Sequence, residues 1–312
     1  MSRRAYAAHA GFVDPARAAS DPWLLLVGVL VVETLYLASV HLMGPFLALV
    51  PLAPADEVTG GTTPRGLLIQ LSSFITLALA VVLVSRRLHG RGFLSLIGPP
   101  GLAVRQLVLV TLFLGALVVI VEFVPPDLEL LSYAEMRPLP VWLALLPLSL
   151  AALLIQTGAE ELFYRGYVQQ QLAARFDRPW VWLVLPSVLF AVAHWSPDLP
   201  PFEGYKYMVW AFFFGLAAAD LTARSGTLGP AIGFHLVNNA LAFLFFGEAG
   251  GLDSGLALFL FPVEPPPEVL ATLPDMPQDE GSLPGALFDP AFLIELAGIG
   301  LLWIGTRLAI RR

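Results

Sequence analysis

One segment of the sequence, GAEELFYRGYV (158–168), carries charged side chains within an apolar stretch. Residues 141–158 contain no charged side chain, and Glu160, Glu161 and Arg165 follow. In a helix, positions i and i+4 share a face, so Glu161 is predicted to pair with Arg165, whereas Glu160 is turned about 100° away. A carboxylate that lacks such a partner in apolar surroundings is suited to act as a general base. The alternative is a structural cluster in which both glutamates share Arg165.

Two further segments combine residue types that can catalyse hydrolysis. FAVAHW has Phe190 and His194 one helical turn apart, and GFHLVNNA has His235 and Asn239 one turn apart. An imidazole can orient a water molecule, and a side-chain amide can donate hydrogen bonds to a developing negative charge. A single intramembrane histidine is commonly a hydrogen-bonding partner for another helix, but polar groups on three helices are harder to explain in that way. We therefore expect Glu160 and these residues to meet near the middle of the membrane.

The three motifs, Glu-Glu-x-x-x-Arg, Phe-x-x-x-His and His-x-x-x-Asn, occur in this order on successive apolar segments. In this combination the chain resembles the CAAX-protease and bacteriocin-processing family of intramembrane endopeptidases, which is related to the type II CAAX prenyl endopeptidases. The resemblance covers a catalytic core from residue 146 to residue 242. It implies an enzyme whose partner is a membrane-associated protein or peptide substrate.

The resemblance also implies a role for each motif residue. Glu160 with His194 would activate a water molecule, and His235 with Asn239 would stabilise the oxyanion that forms when this water attacks a peptide carbonyl. The supporting residues would be Glu161, Arg165 and Phe190.

The same residues indicate whether a cofactor is needed and which other functions compete with proteolysis. No cofactor is required, because a water activated by a glutamate needs no metal. The alternative is a zinc ion held by Glu160, His194 and His235, but the His-Glu-x-x-His helix is absent and asparagine is a poor zinc ligand. A bacteriocin-immunity protein or membrane scaffold would keep the helices and lose these residues. A transporter should show broken helices in two matching halves.

The composition indicates a membrane protein. Hydrophobic residues make up 57% of the chain and charged residues 13%, and the mean hydropathy is +0.76. We expect an all-α polytopic fold, a single membrane domain (1–312) in the lipid bilayer. The net charge of −7 without a basic stripe excludes a nucleic-acid partner. Spans of about twenty apolar residues are predicted at roughly 22–50, 66–85, 105–124, 141–171, 179–197, 205–221, 227–247 and 290–308, about eight in all.

Arginine and lysine residues orient these spans, because cytoplasmic loops carry the positive excess. Thirteen basic residues fall on one side of the predicted spans and three on the other. This predicts that both termini lie in the cytoplasm, with residues 1–20 as a cytoplasmic tail. The sixteen arginines against one lysine favour a bacterial source, and hence a bacterial cytoplasmic (inner) membrane. The loop 248–289 has eight acidic and no basic residues and is rich in proline. We expect it to be irregular and extracytoplasmic, with its apolar piece GLALFLF close to the membrane interface.

Overall fold

The protein is described from a computed structural model, which covers residues 5–123, 131, 133–196, 201–263 and 283–311. Helices dominate, and the strands are two or three residues long. The predicted all-α polytopic membrane fold is confirmed. In chain order the elements are α1 (Ala7–Val13), a 3₁₀ helix (Asp14–Ala19), α2 (Pro22–Leu49), α3 (Ala55–Gly60), α4 (Pro64–Ser73), α5 (Ile75–His89), α6 (Phe93–Ile97), α7 (Pro100–Phe123), β1 (Glu135–Met136), α8 (Leu139–Glu161), the π segment (Leu162–Gln169), α9 (Gln170–Arg175), α10 (Pro179–Ala193), α11 (Pro201–Ser225), α12 (Gly229–Leu244), β2 (Phe246–Glu248), β3 (Phe259–Phe261), α13 (Leu283–Leu287) and α14 (Pro290–Ile310).

The predicted spans correspond to helices. Among the described residues, five helical stretches are long and apolar enough to cross a membrane: Pro22–Leu49, Pro64–His89, Pro100–Phe123, Leu139–Arg175 and Pro290–Ile310. The other three predicted spans are α10, α11 and α12. Because α10 has 15 residues and α12 has 16, each rises only about 24 Å or less, short of a hydrocarbon core of about 30 Å. Both are therefore shorter than a full span and pack against longer neighbours.

Several helices begin where the sequence provides a cap. Asp21, Thr63 and Asp289 each accept a hydrogen bond from a backbone N–H in the first turn, over 2.7, 3.1 and 3.1 Å. A proline occupies an early helical position after each cap, where its missing N–H costs nothing. These local signals explain why the starts of α2, α4 and α14 are well defined.

The helix that carries the first motif lies at the centre of the bundle. The π segment joins α8 to α9, so that residues 139–175 run as one continuous helix. All eight residues of the π segment are buried. Its neighbours include α5, α6, α10 and α11, whereas α8 packs against α4, α5 and α12. Such π-helical turns within α-helices are frequent at functional sites.

The described part of the N-terminal segment, residues 5–19, is folded onto the bundle, and its cytoplasmic location stays a prediction. His9, Phe12 and Val13 of α1 are buried. The Gln170 side chain donates from Nε2 to the backbone oxygen of Phe12, and the Tyr6 hydroxyl donates to Asp220 over 2.7 Å. Buried side chains of a short helix and hydrogen bonds to the bundle together dock this segment.

Part of the acidic loop is ordered, and its extracytoplasmic location stays a prediction. Its strand β3 pairs in parallel with β2 and antiparallel with β1. Within GLALFLF, residues 255–258 are buried, and Arg137 holds this piece by donating from Nε to Ala257 O over 2.9 Å and from Nη2 to Gly255 O over 3.0 Å. Residues 264–282 lie outside the described part of the chain.

Candidate active site

A cavity of about 460 Å³ opens among the polar residues of the bundle. Its walls include five residues that the sequence singled out: Glu160, Phe190, His194, His235 and Asn239. They lie on α8, α10 and α12 or directly after them. Folding therefore gathers residues of all three motifs around one space.

Glu161 and Arg165 form a buried ion pair beside this cavity. Both side chains are 0% exposed, and Arg165 Nη1 donates to Glu161 Oε1 over 2.9 Å. Arg165 Nη2 donates to Gly215 O over 3.1 Å, and the guanidinium carbon lies 4.8 Å from the centroid of the Phe190 ring. The i, i+4 spacing thus produces the expected pair, and a cation–π contact adds to it.

His235 links the two adjacent glutamates. Its Nδ1 lies 2.8 Å from Glu161 Oε1, and because an ionised carboxylate can only accept, Nδ1 carries the hydrogen. Its Nε2 faces Glu160 Oε2 at 3.6 Å, which is beyond hydrogen-bonding distance. The two glutamates therefore differ: Glu161 pairs with Arg165, and no ion pair between Glu160 and Arg165 occurs among the described residues.

Glu160 has a free acceptor inside the cavity. The residue is 8% exposed, and its Oε2 atom is buried with no hydrogen-bond partner in the described part of the chain. Burying a carboxylate oxygen without a partner is costly, so such an atom is expected to bind water or substrate when either is present.

His194 follows the last residue of α10 and has a fixed ring orientation. Its Nδ1 lies 2.7 Å from Phe190 O. A carbonyl oxygen can only accept, so Nδ1 is the donor and Nε2 of the neutral ring retains its lone pair. The His194 ring lies 4.2 Å from the Phe190 ring and 5.5 Å from the Tyr207 ring, measured between centroids. Phe190 therefore contacts both His194 and the buried guanidinium.

The amide of Asn239 is held by two neighbours that the sequence analysis did not single out. Asn239 Nδ2 donates to Gln156 Oε1 over 2.8 Å, and Asn238 Nδ2 donates to Asn239 Oδ1 over 3.1 Å. Gln156 lies one turn before Glu160 on the same helical face, which is a signal that the sequence offered. Other polar residues that line the cavity and were missed are Gln70, Tyr207, Trp210 and Asp253.

Asp253 belongs to the acidic loop and lines the cavity. Its backbone N–H donates to Gly60 O over 2.8 Å, and its φ of 57° lies in the left-handed region. Burial raises the pKa of the Asp253 carboxyl, an effect that a hydrogen bond with Gln70 partly offsets. The loop thus adds a second carboxyl group to the cavity, which has no lysine or arginine in its lining.

Across the described ranges, no group of three or more His, Asp and Glu side chains is arranged to hold a metal ion. Nδ1 of His235, one of the three alternative zinc ligands, is engaged with Glu161. Independence from metal stays a prediction.

The fold and the cavity define a polytopic membrane protein with carboxylate, imidazole and amide groups gathered inside its helices. Residues 141–241, which contain all three motifs, match the family model described as Type II CAAX prenyl endopeptidase Rce1-like. The resemblance drawn from the motifs is confirmed over this segment. An uncharacterized protein of Bacillus subtilis (strain 168), YyaK, is 28% identical over 120 residues, which are 37% of this chain and 38% of that relative. No solved structure matches the chain.

Proposed function

We propose that the protein is an intramembrane endopeptidase that hydrolyses a peptide bond of a membrane-associated or lipidated protein or peptide. One observation carries the proposal: the buried Oε2 of Glu160 has no hydrogen-bond partner among the described residues and faces His235 Nε2 across 3.6 Å. The match of residues 141–241 to an endopeptidase family supports a protease.

In the proposed reaction, Glu160 is the general base. Its free Oε2 accepts one proton of a water molecule in the cavity, and the Nε2 lone pair of His194 holds the second hydrogen of that water. With both hydrogens directed away, the oxygen lone pair is free to attack the carbonyl carbon of the substrate. General-base catalysis of this kind contributes about 10²–10⁴ in rate.

His235 and Asn239 stabilise the oxyanion that results from this attack. Asn239 Nδ2 has two hydrogens, of which one is used by Gln156, so the second can donate to the oxyanion. His235 donates through Nε2 when the ring is doubly protonated. Glu161, which accepts from Nδ1, stabilises the positive charge of that ring and keeps it in the same orientation.

The tetrahedral intermediate breaks down with the proton that Glu160 received. Glu160 returns this proton to the substrate nitrogen, the C–N bond breaks, and the products are a new carboxyl group and a new amine. The glutamate ends the cycle ionised. Every proton is accounted for by Glu160 and the attacking water, so the cycle requires no cofactor.

Glu161, Arg165 and Phe190 support the site without taking part in bond changes. Glu161 Oε1 is shared by Arg165 and His235, at 2.9 and 2.8 Å. Phe190 covers the guanidinium and packs against His194. This arrangement fixes two catalytic imidazoles relative to the Glu160 carboxylate.

The orientation of the site in the membrane is also part of the proposal. The cavity includes Gln70 near the start of the Pro64–His89 helix and Asp253 in the acidic loop. In the orientation predicted from the arginine distribution, this end of the bundle is extracytoplasmic. Substrates would then reach Glu160 from the extracytoplasmic half of a bacterial cytoplasmic membrane.

The test compares protein termini in membranes from cells that produce the wild type or Glu160→Gln at equal levels. We expect at least one new N-terminus, within or beside a membrane segment, in wild-type membranes and its absence in the variant. Glu122→Gln, which changes an exposed glutamate outside the cavity, is the matched control and should keep the fragment. Identical termini in all three membranes would exclude proteolysis and favour an immunity or scaffold function.

A further inference from the structure

The side-chain amides of Asn239 and Gln156 form an ordered chain in the cavity wall. Asn238 donates to the oxygen of Asn239, and the nitrogen of Asn239 donates to Gln156 Oε1. The order of donors and acceptors fixes whether the oxygen or the nitrogen of each amide faces its neighbour. Since Oε1 of Gln156 is the accepting atom, its Nε2 group faces elsewhere, and no hydrogen bond from that group occurs within the described residues.

The free amide nitrogen of Gln156 lies close to the proposed reaction centre. Gln156 is 7% exposed and lines the same cavity as Glu160 and Asn239. On α8 it precedes Glu160 by four residues, so the two side chains share a helical face. The hydrogens of its Nε2 group are not donated to any described residue, so a ligand in the cavity can accept from them.

We propose that Gln156 is a further catalytic residue, whose Nε2–H₂ group donates to the oxyanion beside the remaining N–H of Asn239. The inference rests on the proposed endopeptidase function and adds a residue to it. Gln156 has two tasks: Oε1 positions Asn239, and Nε2 binds the negative charge. A neutral amide can do both at once, because it presents an acceptor and a donor on the same group.

A carboxylate at this position separates the two tasks. In Gln156→Glu, the side chain keeps its length and still accepts from Asn239, but it loses the donor and adds a negative charge beside the oxyanion. Removing one oxyanion donor typically lowers kcat by about 10²–10³-fold. We expect kcat to fall by at least about 10²-fold with KM within about threefold.

The pH profile provides a readout that a purely structural role would not change. When the introduced carboxyl group is protonated, it again has a hydrogen to donate. The ratio of the kcat of Gln156→Glu to that of the wild type should therefore rise as the pH falls. Gln70→Glu is the matched control, because it adds the same charge to the same cavity at a residue that is not bonded to Asn239. Its kcat ratio should rise less on acidification, because protonation at position 70 removes the added charge but restores no donor to the oxyanion.

The experiment uses the full-length protein in lipid nanodiscs and a fluorogenic peptide that spans the bond cleaved in the membrane comparison. The cleavage rates of wild type and Glu160→Gln are measured first. If the two rates are equal, the proposed endopeptidase function is wrong. If the wild type cleaves and folded Gln156→Glu keeps its kcat within about threefold, the function stands and the role of Gln156 is overturned.

If Gln156→Glu does not fold, Gln156→Met decides, since it removes both donor and acceptor without a charge. Cleavage by folded Gln156→Met at a near wild-type kcat would likewise overturn the inference.

Discussion

Glu161 and His235, 74 residues apart in the chain, are joined by a hydrogen bond of 2.8 Å between Oε1 and Nδ1. The same carboxylate oxygen accepts from Arg165. Glu161 therefore holds a cation from its own helix and an imidazole from α12 at once. Because its partner at Nδ1 is fixed, the His235 ring directs Nε2 towards Glu160.

The two adjacent glutamates should respond differently to substitution by glutamine. Glu161→Gln leaves a buried guanidinium without its counter-charge, and breaking one side of a buried pair typically costs about 3–5 kcal/mol. We expect lower thermal stability in detergent together with lost cleavage. Glu160→Gln removes a carboxylate that has no ion-pair partner at hydrogen-bonding distance among the described residues, so it should fold normally and lose at least about 10² in rate. Unfolding of Glu160→Gln, or cleavage within a few-fold of wild type, would contradict the base role.

Cleavage should survive the removal of metal ions. The proposed reaction moves protons through Glu160, with His194 orienting the water, so the rate should be unchanged in purified protein that has been treated with a strong chelator and shown by elemental analysis to lack zinc. The control is the same protein with stoichiometric zinc added back. Activity that disappears on chelation and returns only with zinc would establish the metal alternative with Glu160, His194 and His235 as ligand candidates.

The orientation of the protein in the membrane can be determined with single cysteine substitutions, because the chain contains no native cysteine. Leu252 is 80% exposed in the loop near the cavity, and Gly101 is exposed at the opposite end, where an added Cβ meets nothing within 4 Å. In intact cells, a membrane-impermeant maleimide should label Leu252→Cys and spare Gly101→Cys. Permeabilised cells provide the control, in which both should react. The reverse pattern would refute the predicted orientation and the proposed extracytoplasmic access.

Docking of the N-terminal segment should depend on pH through His9. Burial lowers the pKa of His9 from 6.5 to about 4, and its ring centroid lies 4.5 Å from that of Trp182. A group whose pKa is lowered on folding stabilises the folded form above its unfolded pKa. That contribution is therefore complete above pH 6.5 and is lost progressively as the pH falls towards 4, by up to about 3 kcal/mol.

Hydrogen exchange of residues 5–19 is the measurement for this pH effect. We expect the backbone amides of these residues to be protected at pH 7. At pH 4.5 they should exchange faster, after correction for the intrinsic exchange rate. In His9→Gln, which cannot gain a charge, protection should be independent of pH. Equal pH dependence in the wild type and this variant would show that another group controls docking.

The spacing of residues along one helix was sufficient to predict one contact of the site. Glu161 and Arg165 are four residues apart, and the geometry of a single helix brings them together whatever surrounds it. The same reasoning distinguished Glu160 from Glu161, and it could have found Gln156, which lies four residues before Glu160 on the same face but was missed. The apolar runs likewise predicted the helices, because about twenty such residues suffice to cross a bilayer.

Contacts between helices were beyond this reasoning. The pairing of His235 with Glu161 and of Asn239 with Gln156 depends on the rotation and depth of α12 relative to α8. Those two quantities are set by side-chain packing along the whole contact between helices. Periodicity in one helix carries no information on them.

The sequence by itself determined the membrane class, the helical segments, the motif residues and the face that each occupies, since these follow from hydropathy and the 3.6-residue turn. Only the tertiary structure decided that Glu160 keeps an unpaired oxygen in a cavity, whereas Glu161 accepts hydrogen bonds from both Arg165 and His235. It also decided that residues 5–19 and the piece GLALFLF pack against the bundle. The physical reason is that these features arise from contacts between segments far apart in the chain, where the balance of burial and hydrogen bonding exists only once the helices are assembled.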